Sequence, residues 1–145
     1  MKHPEFEDCL KRKKIAKFSG AKQLAAREFK TAVGDLKSAR ESYDSGNSKW
    51  ATIQAYYAMF HAGRSLLYSR GYREKSHYCL VVALKALFVA AGKLDVALVE
   101  ALQMAKALRE NADYENEFSR EAAKELIAKA EQFMATANPV IKKGP

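Results

Sequence analysis

The sequence predicts an all-α fold, an antiparallel up-and-down bundle of four main helices plus a short N-terminal helix. Three observations carry this. Long stretches repeat apolar residues at steps of three and four, no stretch alternates convincingly between apolar and polar residues, and Gly, Pro, Asn, Asp and Ser punctuate the periodic stretches as short turns. With 145 residues, 48% of them apolar, the chain reads as one helical-bundle domain, 1–145, large enough to bury its own core.

In Pro4 to Phe18, the apolar positions Phe6, Cys9 and Leu10 sit at helical spacing ahead of the run Lys11, Arg12, Lys13, Lys14, so residues 1–18 read as a basic arm or short helix. The first long helix follows Ser19 and Gly20, with Ala25, Phe29, Ala32, Val33, Leu36, Ala39 and Tyr43 on one stripe, and ends at the turn Asp44 to Asn47. Ser48 is the expected N-cap of the second, about Trp50 to Arg70, whose apolar face holds Trp50, Ile53, Tyr57, Phe60, Leu67 and Tyr68 and which Gly71 stops. Ser76 caps a third helix that opens at His77, and its run from Cys79 to Gly92 is apolar nearly all round, as in a central helix or one that meets a partner chain. The fourth, from about Asp95 to Asn111, carries Val96, Val99, Leu102, Ala105 and Leu108. Ser119 caps a last helix with Ala122, Leu126, Ala130 and Phe133 in one stripe, expected to end before Pro139 and the basic tail 139–145.

The formal charge of +8 is unevenly spread: Lys and Arg stand against Asp and Glu at 12 to 7 in residues 1–50, 6 to 3 in 51–100, and 7 to 7 in 101–145. The basic excess therefore lies wholly in the first hundred residues, and it suits a polyanionic partner as well as a solvated surface. No apolar run has membrane-spanning length and no apolar core of a signal peptide follows the N-terminus, so the expectation is a cytoplasmic protein with no membrane partner. The two cysteines, Cys9 and Cys79, lie in no metal-ligand spacing and are expected to be small buried thiols; no metal or cofactor is called for.

The bend between the second and third helices concentrates chemistry. Arg70, Tyr72, Arg73, Lys75, His77 and Tyr78 lie within nine residues. A fixed planar cation beside a group that titrates near neutrality suits phosphate chemistry, and exposed Tyr72 and Tyr78 would stack on unpaired bases. A second candidate is Arg109, Asp113 and Tyr114 in the polar stretch after the fourth helix, which could clamp a nucleotide phosphate and base or simply anchor a loop through an Arg–Asp pair. Arg64, one turn after His61, is a further candidate for binding nucleotide or nucleic acid and could instead pair with an acidic residue such as Asp113. His61 itself and the stripe Tyr56, Tyr57, Phe60 read as core or interface.

Taken together, AYYAMFHAGRSLL, a short glycine turn, KSH with an apolar helix, and RENADYE before a final helix resemble the HEPN family, over about Ala25 to Ala135. The similarity is greatest to stand-alone prokaryotic and archaeal members often encoded beside a minimal nucleotidyltransferase. That resemblance implies a bundle that forms a homodimer and, for many members, a metal-independent ribonuclease acting as the toxin of a toxin–antitoxin pair. The family pattern of an Arg followed after four to six residues by a His falls on Arg70 and His77, with six residues between. Gly71 stands where active members usually carry a polar residue, and Tyr78 follows the His directly, where some members place a nucleotidylated Tyr two positions on.

Cleavage of RNA without a metal needs a base for the 2′-hydroxyl proton and a cation for the phosphorane oxygens, roles that His77 and Arg70 can fill, aided by the backbone N–H groups that open the third helix. Two copies would then supply two Arg and two His in one composite cleft. Two function classes follow: a metal-independent endoribonuclease held off by a nucleotidyltransferase partner that occludes it or modifies a tyrosine such as Tyr78, or a non-catalytic module that binds nucleotide or orients substrate for that partner.

Overall fold

The structure is a computed structural model and describes residues 3–143. Helix α1 (Pro4–Lys11) opens with a proline, whose missing N–H would have no partner there, and sets Glu5 and Glu7 against the positive end of the helix dipole. Lys13, at a left-handed φ of 60°, turns the chain into strand β1 (Ile15–Lys17). Helices α2 (Ala21–Asp44) and α3 (Ser48–Ser69) form a long hairpin turned at Gly46. Strand β2 (Tyr72–Glu74) runs antiparallel to β1, with Ile15 opposite Glu74 and Lys17 opposite Tyr72. Helix α4 (His77–Leu84) widens into a π-helical turn, Lys85–Val89, and α5 (Val96–Tyr114) and α6 (Arg120–Lys143) complete the bundle.

The caps explain the boundaries. Asn47, rather than Ser48, caps α3, its side-chain oxygen accepting from the Trp50 N–H at 3.3 Å. Ser76 caps α4 through the Cys79 N–H at 3.1 Å, Asp95 caps α5 through the Ala97 N–H at 2.9 Å, and Ser119 accepts from the Ala122 N–H at 3.0 Å.

Helix α3 is the hub, packing against α2, α5, α6 and β2. Its buried Ala51, Ala55, Ala58 and Ala62 recur at steps of three and four and let neighbouring helices approach closely. Gly63 serves the same end, since a side chain there would begin 3.3 Å from Leu84 Cδ1. Around this axis Met59, Leu66, Leu84, Phe88, Leu102 and Phe133 form one core.

Several expectations are corrected. Cys9 and Cys79 are not separate thiols: a disulfide joins α1 to the first turn of α4, with Cα atoms 5.9 Å apart across 70 residues of sequence. The short N-terminal helix expected from the sequence is α1, and the disulfide ties it into the fold. The β1 that follows pairs with β2, strands of three residues each that are too short to show alternation in the sequence. The last helix runs through Pro139 to Lys143 because Val140 and Ile141 still pack on the core, which outweighs the one hydrogen bond that proline cannot donate. Trp50 and Val33, placed by periodicity on apolar faces, are each 48% exposed. Among the described residues, no helix is long and apolar enough to cross a membrane.

Candidate functional site

The bend leaves α3 at Ser69, reverses at Gly71 with φ of 84°, and delivers His77 as the first residue of α4. From there the imidazole turns inward, not toward Arg70. Its Nδ1 lies 3.3 Å from the Tyr56 hydroxyl on α3, and its Nε2 is buried with no hydrogen-bond partner. Burial, reinforced by the Lys106 ammonium and opposed by Glu110, pushes the His77 pKa down to about 4. The ring is therefore neutral near pH 7. Burial likewise pushes the Tyr56 phenol up to about 12, against the pull of the Arg109 guanidinium, so its hydroxyl keeps its proton.

Arg109 reaches the same tyrosines from α5. Its Nη2 donates to the Tyr57 hydroxyl at 2.9 Å and lies 3.5 Å from Asp113. The guanidinium stands 5.4 Å from the ring centre of Tyr57, 5.6 Å from Tyr114 and 6.0 Å from Tyr56. Its Nε is buried and unpartnered, like His77 Nε2. One turn back, Lys106 pairs with Glu110 at 3.3 Å, and a cleft of about 250 Å³ opens among His77, Tyr78, Val81, Gln103 and Lys106. Three elements thus converge: the tyrosine pair of α3, the opening of α4, and the cationic face of α5. What the arrangement offers is a neutral imidazole beside an ammonium, with a tyrosine-clamped guanidinium behind it.

The other residues singled out in the sequence are dispersed. Arg70 lays its guanidinium 4.9 Å from the ring centre of Phe88 in the π turn, and no hydrogen bond joins it to His77. Tyr72 is not exposed for stacking but half-buried, edge-on to Phe6 at 5.8 Å, because α1 covers it. Arg73 and Lys75 are exposed on β2 and just after it. Tyr78 is 55% exposed and donates to Glu5 of α1 at 2.7 Å, a bond that raises its pKa. Arg64 does not meet Asp113. It binds Glu74 through Nη2 at 2.7 Å, with Glu28 at 3.8 Å, because β2 folds back under α3. Asp113 pairs with Arg109 instead, and Tyr114 is 69% exposed.

His61 forms a second polar cluster, its Nδ1 2.6 Å from Glu28 and its Nε2 3.7 Å from Asp35. Burial raises the Asp35 pKa, with His61 lowering it and Glu28 adding to the rise. Sequence reasoning left Tyr56 and Tyr57 as packing and missed Lys106 and Glu110 altogether; the one available signal was that Lys106 and Arg109 share a helix face at a spacing of three. Among the described residues, no group of three or more His, Cys, Asp or Glu side chains is placed to hold a metal ion.

A family model described as HEPN domain matches residues 25–140. The chain belongs to the HEPN domain family. Two proteins of Methanocaldococcus jannaschii are similar to it: the one named Putative toxin MJ0142 is 29% identical over 105 residues, 71% of each chain, and the one named Putative toxin MJ0605 is 26% identical over 112 residues, 77% of this chain and 84% of its own. In this HEPN chain the matched region begins inside α2, so α1 and β1 precede it, whereas His77, Tyr56 and Arg109 all lie within it.

Proposed function

We propose that this HEPN protein is a metal-independent endoribonuclease, the toxin of a cytoplasmic toxin–antitoxin pair. The names of its two relatives support the toxin half of this reading. The observation that carries the catalytic half is His77, a neutral imidazole with an unpartnered nitrogen near the Lys106 ammonium. A buried nitrogen without a partner is costly, and a substrate hydroxyl would satisfy it.

In this reading the Nδ1–H donates to the Tyr56 oxygen, which leaves the Nε2 lone pair to take the 2′-hydroxyl proton as that oxygen attacks the adjacent phosphorus. The imidazolium so formed returns that proton to the departing 5′-oxygen, and the product is a 2′,3′-cyclic phosphate. Lys106 and Arg109 supply positive charge for the phosphorane oxygens. Arg70 serves only if a second copy brings it across a two-fold axis, which is the composite dimer site in structural form. A nucleotidyltransferase partner would hold the activity off by occlusion or by modifying exposed Tyr78.

One observation favours a second reading. In a single chain Arg70 and His77 are engaged with different aromatic rings, Phe88 and Tyr56, which suits a bundle that binds a nucleotide between Arg109 and Tyr114 without chemistry. Incubation of RNA with the purified protein in EDTA decides between them. The ribonuclease reading expects 2′,3′-cyclic phosphate ends, lost in folded His77→Ala and reduced in Arg109→Ala; an Arg70→Ala loss restored by mixing with His77→Ala protein would place Arg70 in trans. No cleavage of any RNA by the wild type, with nucleotide binding lost in Arg109→Ala, would establish the binding module.

A further inference from the structure

Most of the basic excess of the first hundred residues lies in two segments, 11–17 and 70–75, some sixty residues apart in sequence, and the fold sets them side by side. The hydrogen bonds from Lys75 N–H to Lys14 O at 2.8 Å and from Phe18 N–H to Gly71 O at 2.9 Å extend the β1–β2 ladder to both ends. Side chains alternate across such a ladder. One face carries Ile15 and Glu74, both buried, and the Glu74 carboxylate is neutralised there by Arg64 at 2.7 Å. The other carries Lys14, Ala16 and Phe18 on one strand line and Arg73 and Lys75 on the other, with all three cations exposed.

The ribbon's only carboxylate is thus turned in and paired, while Lys14, Arg73 and Lys75 are turned out. Arg73 lies 5.1 Å from the ring centre of Phe18, so a flat guanidinium–aromatic surface continues the face beyond the Lys14–Lys75 pair. A further cation borders it: Lys22 of α2 overhangs the bend, its Cε 3.7 Å from where a side chain on Gly71 would begin, whereas Lys17, opposite Tyr72, lies on the other face. The disulfide fixes α1 to α4 beside the ribbon, so this surface does not have to be ordered when a ligand arrives.

We propose that the outer face of the β1–β2 ribbon is a binding platform for the phosphodiester backbone of single-stranded RNA. Lys14 and Lys75 face each other across the ribbon and Arg73 stands two residues further along, roughly 7 Å away, so the cations mark two positions along an extended phosphodiester strand, and an unpaired base can stack on the Arg73–Phe18 surface. Lys14, Phe18 and Lys22 lie ahead of the family-matched region, and Arg73 and Lys75 lie within it. RNA as the ligand rests on the function proposed above, but binding is separable from cleavage.

The test measures anisotropy of a fluorescent 2′-O-methyl polyuridine of about 20 nucleotides, which the proposed transesterification cannot cut, across a salt series. Neutralising Lys14, Arg73 and Lys75 to Gln together should lower the slope of log affinity against log salt by about 2, at about 0.7 per phosphate contact of a single strand, and weaken binding about tenfold or more near 0.15 M salt. A charge-matched control, Lys37, Lys124 and Lys129 to Gln, which are exposed on α2 and α6, should leave the slope unchanged. Equal losses in both triples would overturn the platform in favour of unspecific attraction. An unchanged slope in the ribbon triple overturns it too, and loss of polyglutamate binding in that same triple would make the ribbon a surface for an acidic protein. Failure of the wild type to cut unmodified RNA, with ribbon-dependent binding intact, would sink the ribonuclease and leave the platform standing.

Discussion

His77 and His61 lie against the same tyrosine pair of α3, His77 6.1 Å from the ring of Tyr56 and His61 6.2 Å from the ring of Tyr57, yet their polar surroundings are opposite. His61 sits between two carboxylates, with Arg64 one turn on linking Glu28 to buried Glu74. Each carboxylate in that cluster lies within 3.7 Å of a basic side chain, which is how a structural polar network looks. His77 has one hydroxyl, a nearby ammonium that opposes its protonation, and a nitrogen with nothing bound to it. Half-burial of a histidine is thus not what marks a site; a half-buried histidine left incomplete is.

The largest way to break the comparison is to remove the covalent tie next to His77. Cys9→Ser with Cys79→Ser opens a loop of 70 residues and should cost about 4 kcal/mol in urea denaturation on the chain-entropy account. Freed from α4, α1 would admit water to the start of that helix, and the His77 pKa should climb from about 4 toward its ordinary value in an NMR titration. A His77 resonance that still titrates near 4 in the double variant would mean that α3 and α5 alone enforce the neutral state.

The other cluster breaks differently. Arg64→Met strips the partner from Glu74, whose side chain is 3% exposed, and should destabilise the fold by about 3 kcal/mol, because an uncompensated buried carboxylate is left behind. Adding Glu74→Leu should recover most of that loss. A full cost that persists in the double variant would show that Arg64 acts through its packing over Phe60, 4.7 Å from the ring centre, and not through charge.

How these clusters form explains what the sequence revealed and what it hid. The helices were legible because their stripes and caps are local: Ser76, Asp95 and Ser119 each announce a helix within three residues. So was the bend, since Gly71 must take a positive φ. What stayed hidden depends on pairing between distant segments. Cys9 meets Cys79, and Lys14 meets Lys75, only because α1 docks on α4, a contact that leaves no mark in either segment. The same holds for the site: Arg109 was visible as a candidate and so was His77, but their meeting through Tyr56 and Tyr57 follows from α5 packing on α3. Arg70 and His77, neighbours in sequence, are parted because the helix end and the helix start point their side chains to different rings.

The acid side of the stability profile sharpens the contrast. The His77 pKa is depressed from about 6.5 to about 4, so below 6.5 the unfolded chain binds a proton that the folded chain refuses. Its contribution must therefore fall as pH drops from 6.5 to 4 and level off below, a loss of about 2 kcal/mol after allowance for its partial exposure. His77→Phe should remove that slope and leave the rest of the profile alone. An identical slope in the variant would assign the acid sensitivity to another group.

The smallest expected effect is the most informative about chemistry. Tyr56→Phe deletes the one hydrogen-bond partner that the His77 ring has among the described residues and should cost about 1 kcal/mol. The hydroxyl can accept from Nδ1–H or donate to Nδ1, and only the first leaves a lone pair on Nε2 for the 2′-hydroxyl. Nitrogen-15 shifts of His77 in the wild type should show a protonated Nδ1 and a bare Nε2, with the two tautomers mixing in Tyr56→Phe. If Nε2 carries the proton in the wild type, His77 cannot be the base in the resting enzyme. Its buried N–H would then await an acceptor, such as a phosphate oxygen, and the site would be one that binds the backbone it was proposed to cut.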